Sequence, residues 1–269
     1  MEFTEKALVF KVGRFRETDI WVRLFCAGRG MVTAFAFGGS RSTRRFCGCL
    51  DQLVLGSFRV GTNRRGTYKV LEEGTLLHAF PGLRADPRKL GLVAHCLKFV
   101  EAVQLGAQGA RPVFDLLLET LGTLEDSEVG AEMLPLLFKA KLTFEQGLKP
   151  DLTLCVRCGR PAWDHEGAGH LPVGPDVVEQ APAGHSLGFS VERGGLVCLD
   201  CGGERSGPEA EPLSVGAART LEWIGESRPA DWPRLALEPE MRRQLGRVVD
   251  RFVAYHLGLR WEHGMYRKI

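Results

Sequence analysis

Residues 7–15 read ALVFKVGRF, a short run rich in Val and Phe, and four more stretches of the same character follow before residue 80. DIWVRLFCAG (19–28) comes after the polar turn Arg16-Glu17-Thr18-Asp19, with partial alternation of apolar and polar positions. Gly28-Arg29-Gly30 turns the chain into MVTAFAFGG (31–39), Asp51-Gln52 opens LVLGSFRVG (53–61), and the hairpin-type loop Gly61-Thr62-Asn63-Arg64-Arg65-Gly66 leads to TYKVLEEGTLL (67–77). β-branched and aromatic runs separated by glycine-rich breaks read as strands. Five short strands in this length suit a small closed barrel, and the OB-fold has five strands. The expected fold class is therefore α+β and multidomain, with a five-stranded OB-fold β-barrel over residues 1–80 and an all-α domain after it.

The helical pattern starts at Pro87. Asp86 suits an N-cap and Pro87 the first helical position. Leu90, Val93, Ala94, Leu97, Val100, Glu101 and Leu105 recur at mostly helical spacing. Arg111-Pro112 reads as the start of a second helix, with Val113, Leu116, Leu117, Thr120, Leu121 and Leu124 on one face. A third spans about 130–147, where Pro135 either kinks it or marks its true first turn. A further helix restarts at Leu213-Ser214-Val215, and the last runs about 239–257 with Met241, Leu245, Val248, Val249, Phe252, Tyr255 and His256 inward. Residues 81–150 and 206–269 are thus expected as two parts of a helical domain interrupted by residues 151–205.

That interruption carries two Cys-x-x-Cys pairs, Cys155/Cys158 in TLCVRCGR and Cys198/Cys201 in GGLVCLDCGG. Each pair puts two thiolates on one tight turn, and two such turns make the tetrahedral four-sulfur cage that Zn²⁺ takes in structural sites. One structural zinc per chain is expected. Four thiolates leave no open position for a catalytic water, and a redox pair would not explain the second knuckle. The segment between the pairs, 159–197, is 39 residues long and holds His165, His170 and His185, each either a substitute ligand or an exposed loop residue. Cys26 and Cys96 sit in apolar runs and read as core; Cys47 and Cys49 flank one glycine, have no assigned role, and read as strand or turn positions rather than a second metal site.

The 269 residues are 44% hydrophobic and 25% charged, an ordinary globular composition. No stretch approaches the ~20 apolar residues of a membrane span. The opening MEFTEKALVF carries Glu2 and Glu5 in place of a basic start and a long apolar core, so no secretory signal is expected. With four cysteines assigned to metal, a reducing cytoplasm fits. The net charge of +2 conceals a pattern: 13 Lys/Arg against 7 Asp/Glu in residues 1–80, then an acidic middle, then 7 against 2 in residues 241–269. Basic ends around an acidic middle confine polyanion binding to particular surfaces.

Arg41, Arg44 and Arg45 stand in FGGSRSTRRF (37–46) after two glycines and among hydroxyls, a loop that offers guanidinium groups and backbone N–H donors to phosphates. Arg64 and Arg65 project from a second loop, and Lys11, Arg14 and Arg16 cluster at the end of the first strand. If the strands close into a barrel, these loops border one groove, where Phe15, Phe35, Phe37 and Phe46 either stack on bases or fill the core. On the last helix Arg242, Arg243, Arg247 and Arg251 form a basic stripe, either a second nucleic-acid surface or a dock for an acidic protein tail. No catalytic constellation stands out: GGSRST lacks the Gly-Lys-Ser/Thr ending of a P-loop, and His95 in LVAHCLKF reads as a core histidine. The chain reads as a non-enzyme.

Taken in order, the β-rich head with its Gly-Gly-x-Arg-x-x-x-Arg loop, the helices, FEQGLKPDLTLCVRCGR (144–160) and FSVERGGLVCLDC (189–201) resemble the RecO family of bacterial recombination mediators over essentially the whole chain. The long 159–197 segment departs from the family pattern as an insertion. The resemblance implies an amino-terminal OB-fold, binding of single- and double-stranded DNA, annealing of complementary strands, and a nucleoid-associated cytoplasmic life. It also implies three partners: RecR, the acidic carboxy-terminal tail of the single-stranded-DNA-binding protein, and RecA, which RecO helps to load. It favours Arg242, Arg243 and Arg247 as the tail dock. The rival is a zinc-ribbon nucleic-acid-binding protein of transcription or translation. It needs basic groups around the knuckle, yet 159–197 has only Arg160 and Arg193 against Asp164, Glu166, Asp176, Glu179 and Glu192.

Overall fold

A computed structural model of the chain describes residues 2–127, 131–162, 186–202 and 210–269. His165, His170 and His185 lie outside the described residues, so the question of their ligation does too. The chain divides into two compact units, Met1–Asp126 and Ser127–Ile269.

The first unit opens with strands β1 (Phe3–Arg14), β2 (Ile20–Cys26), β3 (Gly30–Ala36), β4 (Leu55–Thr62) and β5 (Lys69–His78). They close into a barrel in the order β1-β2-β3-β5-β4, with β4 antiparallel to β1 and β3 parallel to β5. This is the expected five-stranded OB-like barrel. Its interior is filled by Val9, Val22, Leu24, Ala34, Ala36, Phe58, Val60 and Leu71. Strict alternation fails in β1, where Ala7, Leu8, Val9 and Phe10 are all buried. Phe10 packs on Phe25, and Phe25 on Phe114 of a covering helix, so this part of the barrel has an apolar outside as well as an apolar inside.

Three helices complete the unit: α1 (Pro81–Ala85), α2 (Pro87–Val103) and α3 (Ala107–Asp126). Asp86 caps α2 as expected, its carboxylate accepting from the Arg88 N–H at 2.8 Å. The second helix starts earlier than Arg111-Pro112: α3 begins at Ala107 and carries Pro112 inside it. Burial of Ala110, Val113, Phe114, Leu117 and Leu121 along one face outweighs the one hydrogen bond the proline removes. Glu125 ties these helices to the barrel, meeting His78 Nε2 at 2.7 Å and accepting from the Gly82 N–H at 2.8 Å. These helices pack in one compact unit with the barrel.

The second unit holds α4 (Leu134–Thr143), strands β6 (Asp151–Cys155), β7 (Ser186–Ser190) and β8 (Gly195–Val197), the single turn α5 (Leu199–Gly202), then β9 (Ala210–Ser214), α6 (Val215–Glu226), α7 (Pro239–Leu257) and the hairpin β10 (Leu259–Glu262)–β11 (Met265–Lys268). Pro135 stands in the first turn of α4, the second of its two expected readings. Ser214 caps α6, and α7 has the bounds expected of the last helix. Its buried face is Leu245, Val248, Val249, Phe252 and Val253, whereas Tyr255, expected inward, is exposed. A four-stranded sheet β6-β8-β7-β9 and the terminal hairpin add strand to a region read as helix and loop. Phe189 of β7 meets Phe252 of α7 at 5.8 Å, which anchors that sheet on the helices.

Candidate metal centre and nucleic-acid interface

The two Cys-x-x-Cys turns sit at the ends of β6 and β8, parallel neighbours in the sheet. That pairing brings together cysteines forty residues apart in the chain, and the four sulfurs of Cys155, Cys158, Cys198 and Cys201 all lie within 4.8 Å of one another. A tetrahedral cage with metal–sulfur bonds of about 2.3 Å has edges of about 3.8 Å, and the Cys158 and Cys198 sulfurs are 3.8 Å apart. The backbone N–H groups of Arg157 and Cys198 each donate to the Cys155 sulfur at 3.4 Å. Burial disfavours the Cys155 thiolate, but these and the Cys158 N–H outweigh it and hold the thiol down at about 6. Cys201, beside Cys158 and Cys198, is pushed up to about 12. Four sulfurs so placed, with N–H donors already aimed at one of them, fit a metal ion.

Arginines frame the knuckle from outside. Arg157 donates to the Cys201 carbonyl at 2.9 Å, Arg193 to the Val156 carbonyl at 3.0 Å, and Arg160 pairs with Asp200 at 3.2 Å. They staple the two turns, which is a structural use of cationic side chains.

The barrel carries a different arrangement. Arg14 is opposite Ile20, Ile20 opposite Ala36, Ala34 opposite Lys69, and Lys69 opposite Thr62. The connections 15–19 and 63–68, and the start of 37–54, therefore leave one end of the barrel. Arg14, Arg16, Arg41, Arg64 and Arg65 are exposed on them, and Arg44 is exposed farther along the third. Among the described residues, no carboxylate partner of these six stands out, whereas the barrel's Arg59 faces Glu2, Glu72 and Glu73.

The loops are fastened to one another. The buried Asp19 carboxylate accepts from the Gly38 N–H at 2.8 Å, and the Ser40 N–H donates to the Thr18 carbonyl at 3.1 Å. Gly38, at φ 65°, occupies the left-handed region where glycine is favoured. The Arg41 and Ser42 N–H groups turn back to Gly38 and Gly39. The N–H groups of Gly38, Ser40, Arg41 and Ser42 are thus used in holding the loop's shape, while the Arg41 and Arg44 side chains are exposed.

The candidate cations separate into free and engaged. Arg45 clamps the loop, donating to the Phe37 carbonyl at 2.6 Å with its guanidinium over the Phe46 ring at 4.9 Å. Lys11 meets Glu101 at 2.8 Å, and Arg23 reaches the same carboxylate at 2.7 Å. On α7, Glu240 takes Arg243 at 2.7 Å and Arg247 at 3.7 Å, Arg242 donates to the Leu237 carbonyl at 2.8 Å, and Arg251 meets Glu211. Two carboxylates, Glu240 and Glu211, thus offset two of the stripe's four positive charges.

The aromatics also divide. Phe46 is core. Phe15, Phe35 and Phe37 lie outside the barrel and gather with Tyr68, which sequence reasoning did not single out; its place beside the Asn63–Gly66 loop is the only signal it gave. Cys26, Cys49 and Cys96 are buried and Cys47 is exposed on its turn.

Two family models cover nearly the whole chain: residues 1–80 match Recombination protein O N terminal, and residues 84–263 match Recombination protein O C terminal. The chain is 46% identical over 269 residues, all of both chains, to a protein of Maridesulfovibrio salexigens named DNA repair protein RecO. It is 41% identical over 269 residues, again all of both chains, to one of that name from Oleidesulfovibrio alaskensis. The relative of that name in Lawsonia intracellularis is 30% identical over 274 aligned positions covering both chains. With both halves matched and these identities sustained end to end, the chain belongs to the RecO family of DNA repair proteins.

Proposed function

We propose that the protein is a non-catalytic DNA-binding mediator whose grip on DNA lies at the loop end of the barrel. The observation that carries this reading is the gathering there of Arg14, Arg16, Arg41, Arg64 and Arg65, with Arg44 on the same arginine loop as Arg41, at a barrel end where Asp19 joins two of the three connections. Guanidinium groups without carboxylate partners are available to phosphates, and such contacts give sequence-independent, strongly salt-dependent binding of single- and double-stranded DNA. A basic surface that holds two strands lowers their mutual repulsion, and annealing follows. Lys11 and Arg45 contribute less directly, since each already has an internal partner.

Family membership supports the remaining steps: work with RecR, engagement of the single-stranded-DNA-binding protein's tail, and loading of RecA, in the bacterial cytoplasm at the nucleoid. Arg242, Arg243 and Arg247 serve a tail only by exchanging Glu240 and Leu237 for it. The metal of the four-cysteine site is Zn²⁺, one per chain, and its role is structural, because four sulfurs close the coordination sphere. No helix of the described residues is long and apolar enough to cross a membrane.

The test is anisotropy of a labelled oligonucleotide across a salt series. Arg44→Ala/Arg64→Ala should weaken binding and reduce the salt slope by about 0.7 for each phosphate of single-stranded DNA that is no longer neutralised. An unchanged slope removes these arginines from the interface.

A further inference from the structure

On β3 the small Ala34 and Ala36 face the barrel interior, while the bulky Phe35 between them faces out. Phe35 is not isolated. Phe15 lies 5.2 Å from it and Phe37 6.2 Å from Phe15, and Tyr68 is 5.5 Å from Phe35 and 6.1 Å from Phe37, all measured between ring centroids. Phe15 is 41% and Tyr68 40% exposed, so the cluster opens to solvent and is no extension of the core. Beside it Trp21 lies across β1 over Gly13, where a Cβ would meet the indole at 2.4 Å.

Phe15, Phe37 and Tyr68 come from the three connections at the basic end of the barrel and Phe35 from β3, and the backbone at Phe15 and Tyr68 is held. The Phe15 N–H donates to the Asp19 carbonyl at 3.2 Å. Asn63 fixes Tyr68 from both sides: its side-chain oxygen accepts from the Thr67 and Tyr68 N–H groups at 2.8 and 3.3 Å, and its own N–H donates to the Tyr68 carbonyl at 3.1 Å. Rings fixed in place lose little freedom on binding, and an apolar patch exposed among cations calls for an occupant that is both flat and anionic. Arg14 precedes Phe15 in the chain, the Arg16 guanidinium lies over the Phe15 ring at 5.4 Å, where a base would have to displace it or share the ring, and Arg64 and Arg65 precede Tyr68. Unpaired bases on a phosphate backbone meet that description, because every base has a π-face and every linkage a charge.

We propose that Phe15, Phe35, Phe37 and Tyr68 form a base-stacking platform, so that the preferred ligand of this surface is single-stranded DNA with bases turned onto the rings and phosphates toward the arginines of the loops. This rests on the reading of the barrel end as a DNA surface and adds to it a strand class and a set of contacts. A duplex keeps its bases stacked inside and reaches only the arginines. A strand released from its complement gains the platform, which gives the surface a preference for unpaired DNA without reading sequence.

The experiment uses the full chain and three labelled probes: oligo(dT), an abasic deoxyribose-phosphate oligomer of the same length, and a duplex. Tyr68→Ala and Phe15→Ala should each weaken oligo(dT) binding about ten- to a hundredfold and leave the abasic and duplex affinities unchanged, while Tyr68→Phe retains binding. Both residues are exposed, and an unaltered melting temperature verifies that the barrel is intact. Equal affinity of wild type and Tyr68→Ala for oligo(dT), or an equal loss on the abasic probe, overturns the platform and leaves the phosphate reading standing. Failure of the wild type to bind any probe overturns both. A loss confined to binding of a poly-glutamate peptide identifies the patch as a protein dock and likewise overturns the proposal.

Discussion

The carboxylate of Asp19, the residue before β2, accepts the N–H of Gly38, at the start of the arginine loop, across 2.8 Å. An acidic side chain with only 8% of its surface exposed thus stands within a basic surface, and its role is to join two connections rather than to face solvent. Asp19→Ala should free the Gly38 N–H, loosen both loops and cost about 1–3 kcal/mol. DNA affinity should fall even though an acid has been removed from a cationic surface. Tighter binding by this variant would show that Asp19 acts only through its charge.

Gly13 is opposite Trp21 in the register of β1 and β2, and the indole covers the space a side chain would fill. Gly13→Ala should displace the ring, cost about 1–3 kcal/mol and shift the emission of Trp21. Gly66, on the basic hairpin loop, has nothing within 4 Å of a built Cβ, but its φ of 72° strains any side chain. A Gly66→Ala variant should therefore lose stability through its backbone alone, with Trp21 emission unchanged.

Arg44 and Arg45 are neighbours in sequence with different partners. Arg45 clamps the Phe37 carbonyl and Phe46, whereas among the described residues no partner of Arg44 stands out. Arg44→Ala should lower DNA affinity with no change in melting temperature. Arg45→Ala should lose about 1 kcal/mol of stability from the broken clamp as well as affinity. Arg243→Ala, which releases Glu240 from its closest cation, should leave barrel-dependent binding untouched.

Strand character was legible in the head because five runs with glycine breaks are local patterns, and a barrel is the compact way to close them. The pairing of β3 with β5 in parallel was not legible, since register across non-neighbouring strands leaves no local trace. The zinc-type knuckle was read from spacing alone, yet β7 and β9 around it were missed: each is five residues long, and β9 contains a proline. The arginine stripe of α7 shows the opposite failure. Helical spacing put Arg243 and Arg247 on one face, but Glu240 lies on the same face, pairs with both and offsets one of their two charges, so counting cations alone overestimates the free charge. At the barrel end, the sequence places the loops along one groove only on condition that the strands close; β1, β2, β3, β4 and β5 deliver Arg14, Ile20, Ala36, Thr62 and Lys69 to one rim.

Burial pushes the thiols of Cys26 and Cys96 up to about 12 and that of Cys49 to about 11. The thiolate is the form that reacts with alkylating reagents, so these three should stay unlabelled in the native protein near pH 8 and label on unfolding. Exposed Cys47 should label in the native state. Native labelling of Cys96 in α2, followed by mass spectrometry of its peptide, would contradict the packing of that helix.

The metal knuckle sets a pH limit of its own. With its pKa held at about 6, below its ordinary value of 9.0, Cys155 is a group depressed by folding. Its contribution to stability is therefore complete above the ordinary value, declines as pH falls through the interval, and is gone below about 6. Cys201, pushed up to about 12, must give up a proton to a metal, which makes affinity fall further on acidification. A metal held by the four sulfurs should thus bind more weakly as pH falls, and a chelator should strip it faster at the lower pH. Hydrogen exchange should then rise first in β6, β8 and the turns after them, while β1–β5 keep their protection, because the sulfurs join strands of the second unit only. Simultaneous loss of protection in the barrel would show that the cage supports more than the sheet it staples.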